Sequence, residues 1–176
     1  ISIYYFIYMV IEEIVPQLPI KKERIENAYT NCKEKLVPVQ NMEFAAHLEK
    51  AKSDLACVSA DFDRESWDWT IVKSYYAMHH AINALLIKEK GFYSKDHICA
   101  ILALKFFELL PEALYFKLRS INTKFGDFTG FDVAYTLRKV SQYNVREWKQ
   151  LSKADAENVY LLSREIVSFV EERCYL

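Results

Sequence analysis

Apolar positions recur at the three- and four-residue spacing of α-helices, and the clearest run extends from about Trp67 to Lys90. Alanines at positions 77, 81 and 84 fill much of the arc between two apolar stripes. The stripes are Ile71, Tyr75, Met78, Ile82 and Leu85, and Val72, Tyr76, His79 and Leu86. A helix that is apolar nearly all round is normally buried in a bundle. The pattern therefore predicts a central helix, ended by Gly91 at a position that favours glycine.

Segments with the apolar spacing of a helix also precede and follow the central helix in the sequence. After it, we expect Ser94 to cap one helix, Pro111 to occupy the first turn of the next, and Ser152 to begin the last with a capping box. The other predicted helices cover residues 1–15, 21–36, a segment opening at Met42, and 131–140. Residues 1–41 are expected to form an N-terminal helical extension, and residues 42–176 the main domain.

Composition supports an all-α fold. Hydrophobic residues make up 52% of the 176-residue chain, while only 3 glycines and 4 prolines are present, which leaves few turns. The apolar run at residues 1–11 is too short to span a bilayer, which needs about 20 residues. The 4 cysteines are scattered, and we interpret them as buried or free thiols. The sequence thus predicts a soluble cytoplasmic protein without a membrane partner.

Basic and aromatic residues alternate between Pro111 and Lys153, although the whole chain has a net charge of −1. This stretch has eight basic and four acidic residues, and six aromatic residues are interspersed with them. Such a composition suits a surface that holds phosphates and stacks bases. The alternative is that these residues form solvated helix faces and core aromatics.

Familiar catalytic and phosphate-binding motifs are absent from the sequence. A zinc site of His79, His80, His97 and Cys99 is the one metal site to consider. Because adjacent helical residues point about 100° apart, His79 and His80 are not expected to share one ion. We therefore predict no metal site and no cofactor.

Four segments of the chain, in order, resemble the HEPN family, the "higher eukaryotes and prokaryotes nucleotide-binding" domains. They are SYYAMHHAINALL at 74–86, SKDH at 94–97 after a glycine turn, LRKVSQY at 137–143, and SKADAE at 152–157. His80 and His97 fall on histidines of the family pattern, and His79 takes a place where an aromatic residue is more usual. The resemblance covers residues 42–176.

This resemblance implies an up-and-down antiparallel bundle of four to five core helices that forms a homodimer. It also implies a toxin–antitoxin partnership with a minimal nucleotidyltransferase, and binding of RNA or a nucleotide at a basic, aromatic dimer cleft. Active members are metal-independent endoribonucleases with an arginine followed, after four to six residues, by a histidine. Attack of a 2′-hydroxyl on the adjacent phosphate needs a base and a cation.

The chain departs from this signature at the histidine. Arg138 matches the arginine, but Tyr143 stands where the histidine is expected, and an ordinary tyrosine, with a pKa of about 10, is a poor base. His80 and His97 are the candidates for the missing imidazole. The candidate catalytic residues are Arg138, Tyr143, His80 and His97. The candidate nucleotide- or RNA-binding residues are Arg138, Lys139, Tyr143, Asn144 and Arg146.

Three functions are compatible with these residues. The first is a nucleotide- or RNA-binding component of a nucleotidyltransferase-linked pair, the second an endoribonuclease toxin, and the third a non-catalytic module whose apolar N-terminal helix docks a partner. For individual residues there are structural alternatives. His80 suits a hydrogen-bonded core or interface position, His97 suits local structure in a first helical turn, and Tyr75 and Tyr76 suit packing.

Overall fold

The computed structural model describes residues 18–124 and 151–176. Its elements are α1 (Lys22–Cys32), β1 (Leu36–Pro38), α2 (Phe44–Asp63), α3 (Trp67–Lys90), β2 (Phe92–Ser94), α4 (His97–Phe106), α5 (Glu112–Lys124) and α6 (Lys153–Tyr175). Short 3-10 turns at Lys33–Lys35 and Asn41–Glu43 precede β1 and α2. The all-α prediction is confirmed, with a two-stranded ribbon that the sequence pattern did not predict. The helices expected at 1–15 and 131–140 lie outside the described residues.

Helices α2, α3 and α6 form the body of the bundle. Phe62 packs against Tyr160 at one end of the α2–α6 pair, and Phe44 packs against Tyr175 at the other, so these helices run antiparallel. Only three residues connect α2 to α3, a length that favours antiparallel neighbours. The three helices therefore pack up and down around a shared core.

Helix α3 is the central helix, as predicted, and its alanines are fully buried. Small side chains at 77, 81 and 84 let neighbouring backbones approach closely. However, the helix is not buried all round. Trp69 is 48% exposed and Tyr76 is 38% exposed, so the prediction that Tyr76 is a packing residue is wrong. These two residues lie two turns apart and therefore share one face, which we call the open face of α3.

Local chemistry fixes the helix ends. Gly91 ends α3 in the left-handed region, with φ of 73°. Ser152 forms the predicted capping box with Asp155 at the start of α6. The starts of α4 and α5 differ from those expected from the sequence. Asp96 rather than Ser94 caps α4, because its carboxylate accepts from the Cys99 N–H at 3.0 Å. Pro111 precedes α5, where its carbonyl accepts the Tyr115 N–H at 3.1 Å.

The strand ribbon is tied to the central helix by a buried amide. The Asn83 side chain donates to the Ser94 carbonyl and accepts from the Ser94 N–H, both at 3.0 Å. The Ser94 hydroxyl donates to the Lys35 carbonyl at 3.2 Å and accepts from the Asp96 N–H at 3.1 Å. Because Asn83 and Ser94 are at most 1% exposed, water cannot replace these bonds. They set where α4 begins relative to α3.

A disulfide connects α1 to α4. Cys32 at the end of α1 is bonded to Cys99 in the first turn of α4, with a Cα–Cα distance of 5.4 Å. These two cysteines are buried, but the interpretation of them as thiols is wrong. Their pairing depends on a tertiary contact between distant helices, which no local pattern contains. Nearby, the Tyr29 ring stacks on Phe106 at a centroid distance of 4.1 Å. Residues 22–32 thus pack on α4.

None of the helices within residues 18–124 and 151–176 combines the length and the apolar character needed to span a bilayer.

Replacement of Asn83 by alanine is expected to lower the free energy of unfolding by about 2–6 kcal/mol. The reason is that both backbone groups of Ser94 would remain buried without partners, at about 1–3 kcal/mol each. Urea denaturation measures the change. Asn41→Ala is the matched control, because the exposed Asn41 amide donates a single 3.3 Å bond to the Lys88 carbonyl. An equal loss in both variants would contradict the role given to Asn83.

Candidate functional site

All four histidines of the chain lie in one group at the junction of three helices. His47 is on α2, His79 and His80 are on α3, and His97 begins α4. The ring centroids of His79 and His97 are 3.9 Å apart, those of His79 and His80 6.0 Å, and those of His47 and His80 5.4 Å. All four side chains are half-buried. We refer to His47, His79, His80 and His97 as the histidine group.

The two neighbouring histidines of α3 have different partners, as their angular separation on the helix requires. The Nε2 of His79 lies 3.0 Å from the Asn83 side-chain nitrogen, and the ring packs against His97. The Nδ1 of His80 lies 3.3 Å from the Nδ1 of His47. The group therefore consists of two pairs. His79 pairs with His97 of α4, and His80 pairs with His47 of α2.

Asn83 also determines where the proton of His79 resides. Its oxygen accepts from the Ser94 N–H, so its nitrogen is the donor that faces His79. One hydrogen of that amide goes to the Ser94 carbonyl and the other points at His79 Nε2. That nitrogen must therefore be unprotonated, and the neutral ring carries its proton on Nδ1.

Burial keeps the histidine group uncharged at neutral pH. Desolvation, aided by repulsion from the other three histidines, lowers the pKa of His79 to about 2. Desolvation lowers the pKa of His97 to about 4, and Asp96 opposes the shift while His80 adds to it. Desolvation also lowers the pKa of His80 and of His47. Neutral imidazoles can donate one hydrogen bond and accept another.

Tyrosine rings extend the histidine group toward the open face of α3. The Tyr75 ring lies 4.6 Å from the His97 ring and 5.3 Å from the Tyr76 ring, which it meets edge-on. Tyr75 is buried, as its predicted packing role requires, and Tyr76 is exposed. On the far side of the group, Tyr93 of β2 lies 5.8 Å from His47. Aromatic surface therefore continues from the histidines to solvent.

Basic side chains flank this surface. Lys73, between Trp69 and Tyr76 in sequence, is paired with Asp61 at 2.5 Å. Lys50 is paired with Asp54 on α2. Because acidic neighbours partly neutralise both lysines, the histidine group is not by itself a strongly cationic site.

The structure brings together two of the predicted site residues. His80 and His97 lie in the histidine group and are connected through His79, with His80 also contacting His47 as a hydrogen-bonded interface residue would. The other five predicted site residues lie outside the described part of the chain. They are Arg138, Lys139, Tyr143, Asn144 and Arg146.

Sequence reasoning missed His47, Asn83 and Trp69. His47 lies one residue before the apolar position Leu48, and no spacing rule connects it to α3. Asn83 interrupted an otherwise apolar run, which was the available signal that a buried polar contact exists. Trp69 was not assigned to either apolar stripe, and apolar spacing does not show which positions another helix leaves uncovered.

The zinc set considered from sequence does not assemble. Cys99 is bonded to Cys32, so its sulfur is not available as a thiolate. Among residues 18–124 and 151–176, no group of three or more His, Cys, Asp or Glu side chains is arranged to hold a metal ion.

The free energy of unfolding is expected to fall by about 2 kcal/mol between pH 7 and pH 5 on account of His97 alone. An unfolded histidine titrates near pH 6.5, whereas the folded His97 has a pKa of about 4. The neutral His97 ring therefore makes its full contribution to stability above about pH 6.5, and this contribution is lost as the pH falls toward 4. Urea denaturation in EDTA at both pH values measures it, and His97→Gln should reduce the loss of stability between pH 7 and pH 5 by about that amount. Equal stability of the parent chain at both pH values would contradict this expectation.

Comparison with known protein families agrees with the resemblance seen in the sequence. A family model described as "HEPN domain" matches residues 44–173, which is most of the chain. No curated protein matches the chain. The matched region contains the entire histidine group and excludes α1 and β1. Family membership supports a helical module related to nucleotides or RNA. The chain belongs to the HEPN family.

Proposed function

We propose that this HEPN domain binds RNA or a nucleotide, and that the open face of α3 and the histidine group form part of the binding surface. One observation carries the proposal. His80 and His97 match two histidines of the family pattern, come from separate helices, and lie in one half-buried group beside the exposed ring of Tyr76.

The chemistry of this surface suits a nucleobase. Exposed aromatic rings stack on bases with little sequence preference, at about 1–3 kcal/mol per base. Trp69 and Tyr76 lie about 10 Å apart along the helix axis, at 1.5 Å per residue. Each ring can thus contact a different base. Neutral imidazoles beside them offer one donor and one acceptor to the edge of a base.

The proposed phosphate contacts come from the basic, aromatic stretch of residues 111–153. Two of its described members are already engaged, since Lys117 pairs with Glu165 at 2.6 Å and Arg119 donates to the Leu18 carbonyl at 3.0 Å. The proposed phosphate and base contacts are therefore Arg138, Lys139, Tyr143, Asn144 and Arg146. In this proposal two copies of the chain form a homodimer, and these residues line its cleft.

The proposed biological setting is a cytoplasmic toxin–antitoxin pair with a minimal nucleotidyltransferase. Family membership supports this setting, in which the present chain is the nucleotide- or RNA-binding component. Disulfides are rare in the reducing cytoplasm. The setting therefore requires that the Cys32–Cys99 bond survive there or that the domain function with these thiols reduced.

Substitution of Tyr76 by alanine is expected to weaken RNA binding about 5- to 150-fold, which corresponds to the loss of one stacked base. Trp69→Ala should have an effect of the same size. Fluorescence anisotropy with a short single-stranded RNA measures the affinity. Tyr175→Ala is the matched control, because Tyr175 is an equally simple tyrosine truncation, 66% exposed, at the C-terminal end of α6.

Binding that is unchanged in both Tyr76→Ala and Trp69→Ala would remove the open face from the proposal. If Arg138→Ala alone weakened binding, the site would be confined to the basic stretch. If the folded parent chain bound neither RNA nor nucleotide, the protein-interaction module would be the better function.

A metal-independent endoribonuclease is the second candidate, and the half-buried imidazole of His97 beside Tyr75 favours it. In this mechanism Arg138 stabilises the charge on the phosphate and His97 or His80 replaces the histidine missing from the signature. Cleavage of a labelled RNA in EDTA should then be reduced at least 100-fold by Arg138→Ala, on the scale of a lost oxyanion contact. Cleavage at the parent rate in Arg138→Ala would rule out this mechanism.

A further inference from the structure

The histidine group contains a hydrogen bond between two imidazoles that the proposed function does not use. His47 of α2 and His80 of α3 face each other with their Nδ1 atoms 3.3 Å apart, and we call them the imidazole pair. Because a neutral imidazole has one N–H, one ring donates this bond and the other accepts it. Both rings are half-buried. Among residues 18–124 and 151–176, neither Nε2 atom has a hydrogen-bond partner and neither is buried, so both reach solvent.

One added proton changes what the imidazole pair presents to solvent. When both rings are neutral, one N–H lies in the bond between them and the other lies on one outer Nε2, so the second Nε2 is an acceptor. With one extra proton, the bond between the Nδ1 atoms remains and becomes charge-assisted, and both outer Nε2 atoms carry a hydrogen. The pair is then a cation with two outward donors. A second proton would place hydrogens on both Nδ1 atoms and break the bond, so the pair takes up only one.

The imidazole pair lies beside the aromatic rings of the open face. Trp69, Lys73, Tyr76 and His80 follow one another on α3 at helical spacing and share one side of the helix. His80 is about 6 Å from Tyr76 along the helix axis, so a nucleotide whose base stacks on Tyr76 has its phosphate close to the pair. The ammonium group of Lys73 is already paired with Asp61 at 2.5 Å. The pair is therefore the donor on this side of α3 that a phosphate can engage.

Charged residues of α2 act on the imidazole pair with both signs. Glu43, one turn before His47, acts on it as a negative charge and favours a proton there. Asp54 favours a proton on His80 and Lys50 opposes it, and these two side chains form an ion pair with each other. Desolvation outweighs the acidic neighbours and lowers the pKa of both rings. An arriving anion adds the negative charge that favours uptake of a proton.

The other elements around the imidazole pair contribute no second cation among the described residues. Desolvation lowers the pKa of His79 on α3 to about 2 and that of His97 on α4 to about 4, so both rings are neutral at pH 6. From β2, Tyr93 contributes an aromatic ring 5.8 Å from His47. Any proton taken up near pH 6–7 therefore goes to the pair.

We propose that the imidazole pair is a phosphate subsite of the open face, and that it takes up one proton when a phosphodiester of single-stranded RNA binds there. The inference rests on the proposed RNA binding and names a phosphate contact within it. RNA is the ligand rather than a free nucleotide because Trp69 and Tyr76, about 10 Å apart along the axis, contact different bases. Proton uptake and RNA binding strengthen each other, so affinity rises as the pH falls.

The experiment measures the affinity of a labelled uridine octamer without terminal phosphates at pH 7.5 and pH 6.0, with folding checked by circular dichroism at both values. Uracil and phosphodiesters do not titrate in this range, whereas a terminal phosphate would, with a pKa of about 6. The affinity of the parent chain should rise about 3- to 30-fold, where the upper value is the limit for one proton. His47→Gln and His80→Gln should each reduce this change to less than about 2-fold.

Two control variants separate proton uptake from other contacts. Tyr76→Ala should weaken binding at both pH values and keep the fold-change of the parent chain, because it removes stacking and leaves the imidazole pair intact. His97→Gln is the matched histidine control. Whatever its absolute affinity, its fold-change between pH 7.5 and pH 6.0 should also equal that of the parent chain.

A second readout uses the parent chain alone and does not depend on how the variants fold. Calorimetric titration with the octamer at pH 6.5, in buffers of different ionisation enthalpy, should show net uptake of up to one proton per chain. Binding without proton uptake would overturn this proposal and leave the proposed RNA binding intact. A pH dependence that persisted in both glutamine variants would overturn it as well.

Two further outcomes would contradict the proposal at the level of the ligand. If the folded parent chain bound no octamer at either pH, both the subsite and the proposed RNA binding would be wrong. If uridine monophosphate displaced the octamer at equal concentration, the ligand would be a nucleotide, and the phosphodiester subsite would be wrong.

Discussion

A single buried amide holds the structure around the histidines in place. Asn83 bonds both backbone groups of Ser94 and still has a hydrogen to donate to His79. Because Ser94 ends the strand ribbon and its hydroxyl bonds the Asp96 N–H, this contact sets where α4 begins. The contact between the His79 and His97 rings follows from this placement of α4.

The N-terminal extension supports α4 from its other side. The Cys32–Cys99 bond, the Tyr29–Phe106 stack and the Lys35–Asp96 ion pair all connect residues before the family domain to this helix. The ion pair is exposed and contributes little by itself. The family model begins at residue 44, so these residues lie outside the matched region, and they brace the helix that begins with His97.

Helix positions could be predicted from the sequence because the signals for them are local. Gly91 and the Ser152–Asp155 capping box confirmed two helix ends, and the apolar spacing located the central helix. The Asp96 cap was missed because Ser94, two residues earlier, is an equally good capping residue by type. Its hydroxyl is taken by the ribbon, which is a tertiary contact that no local rule contains.

The composition of the site was less predictable, since it depends on which helix faces meet. His80 and His97 were identified through resemblance, but His47 joins them only because α2 packs antiparallel to α3. The exposure of Tyr76 reverses the expectation from its apolar stripe, because hydrophobic spacing shows which residues share a face and not whether another helix covers it. The disulfide was unpredictable for the same reason, as its cysteines are 67 residues apart.

The central claim is that Asn83 brings His79 and His97 together and holds His79 in one neutral form. The ring nitrogens of His79 in ¹⁵N-labelled protein test it most directly, through long-range proton–nitrogen correlation near pH 6.5. The account predicts a neutral ring with its proton on Nδ1 and an unprotonated Nε2, together with through-space contacts to the His97 ring. A proton on Nε2, or a charged ring at this pH, would contradict it.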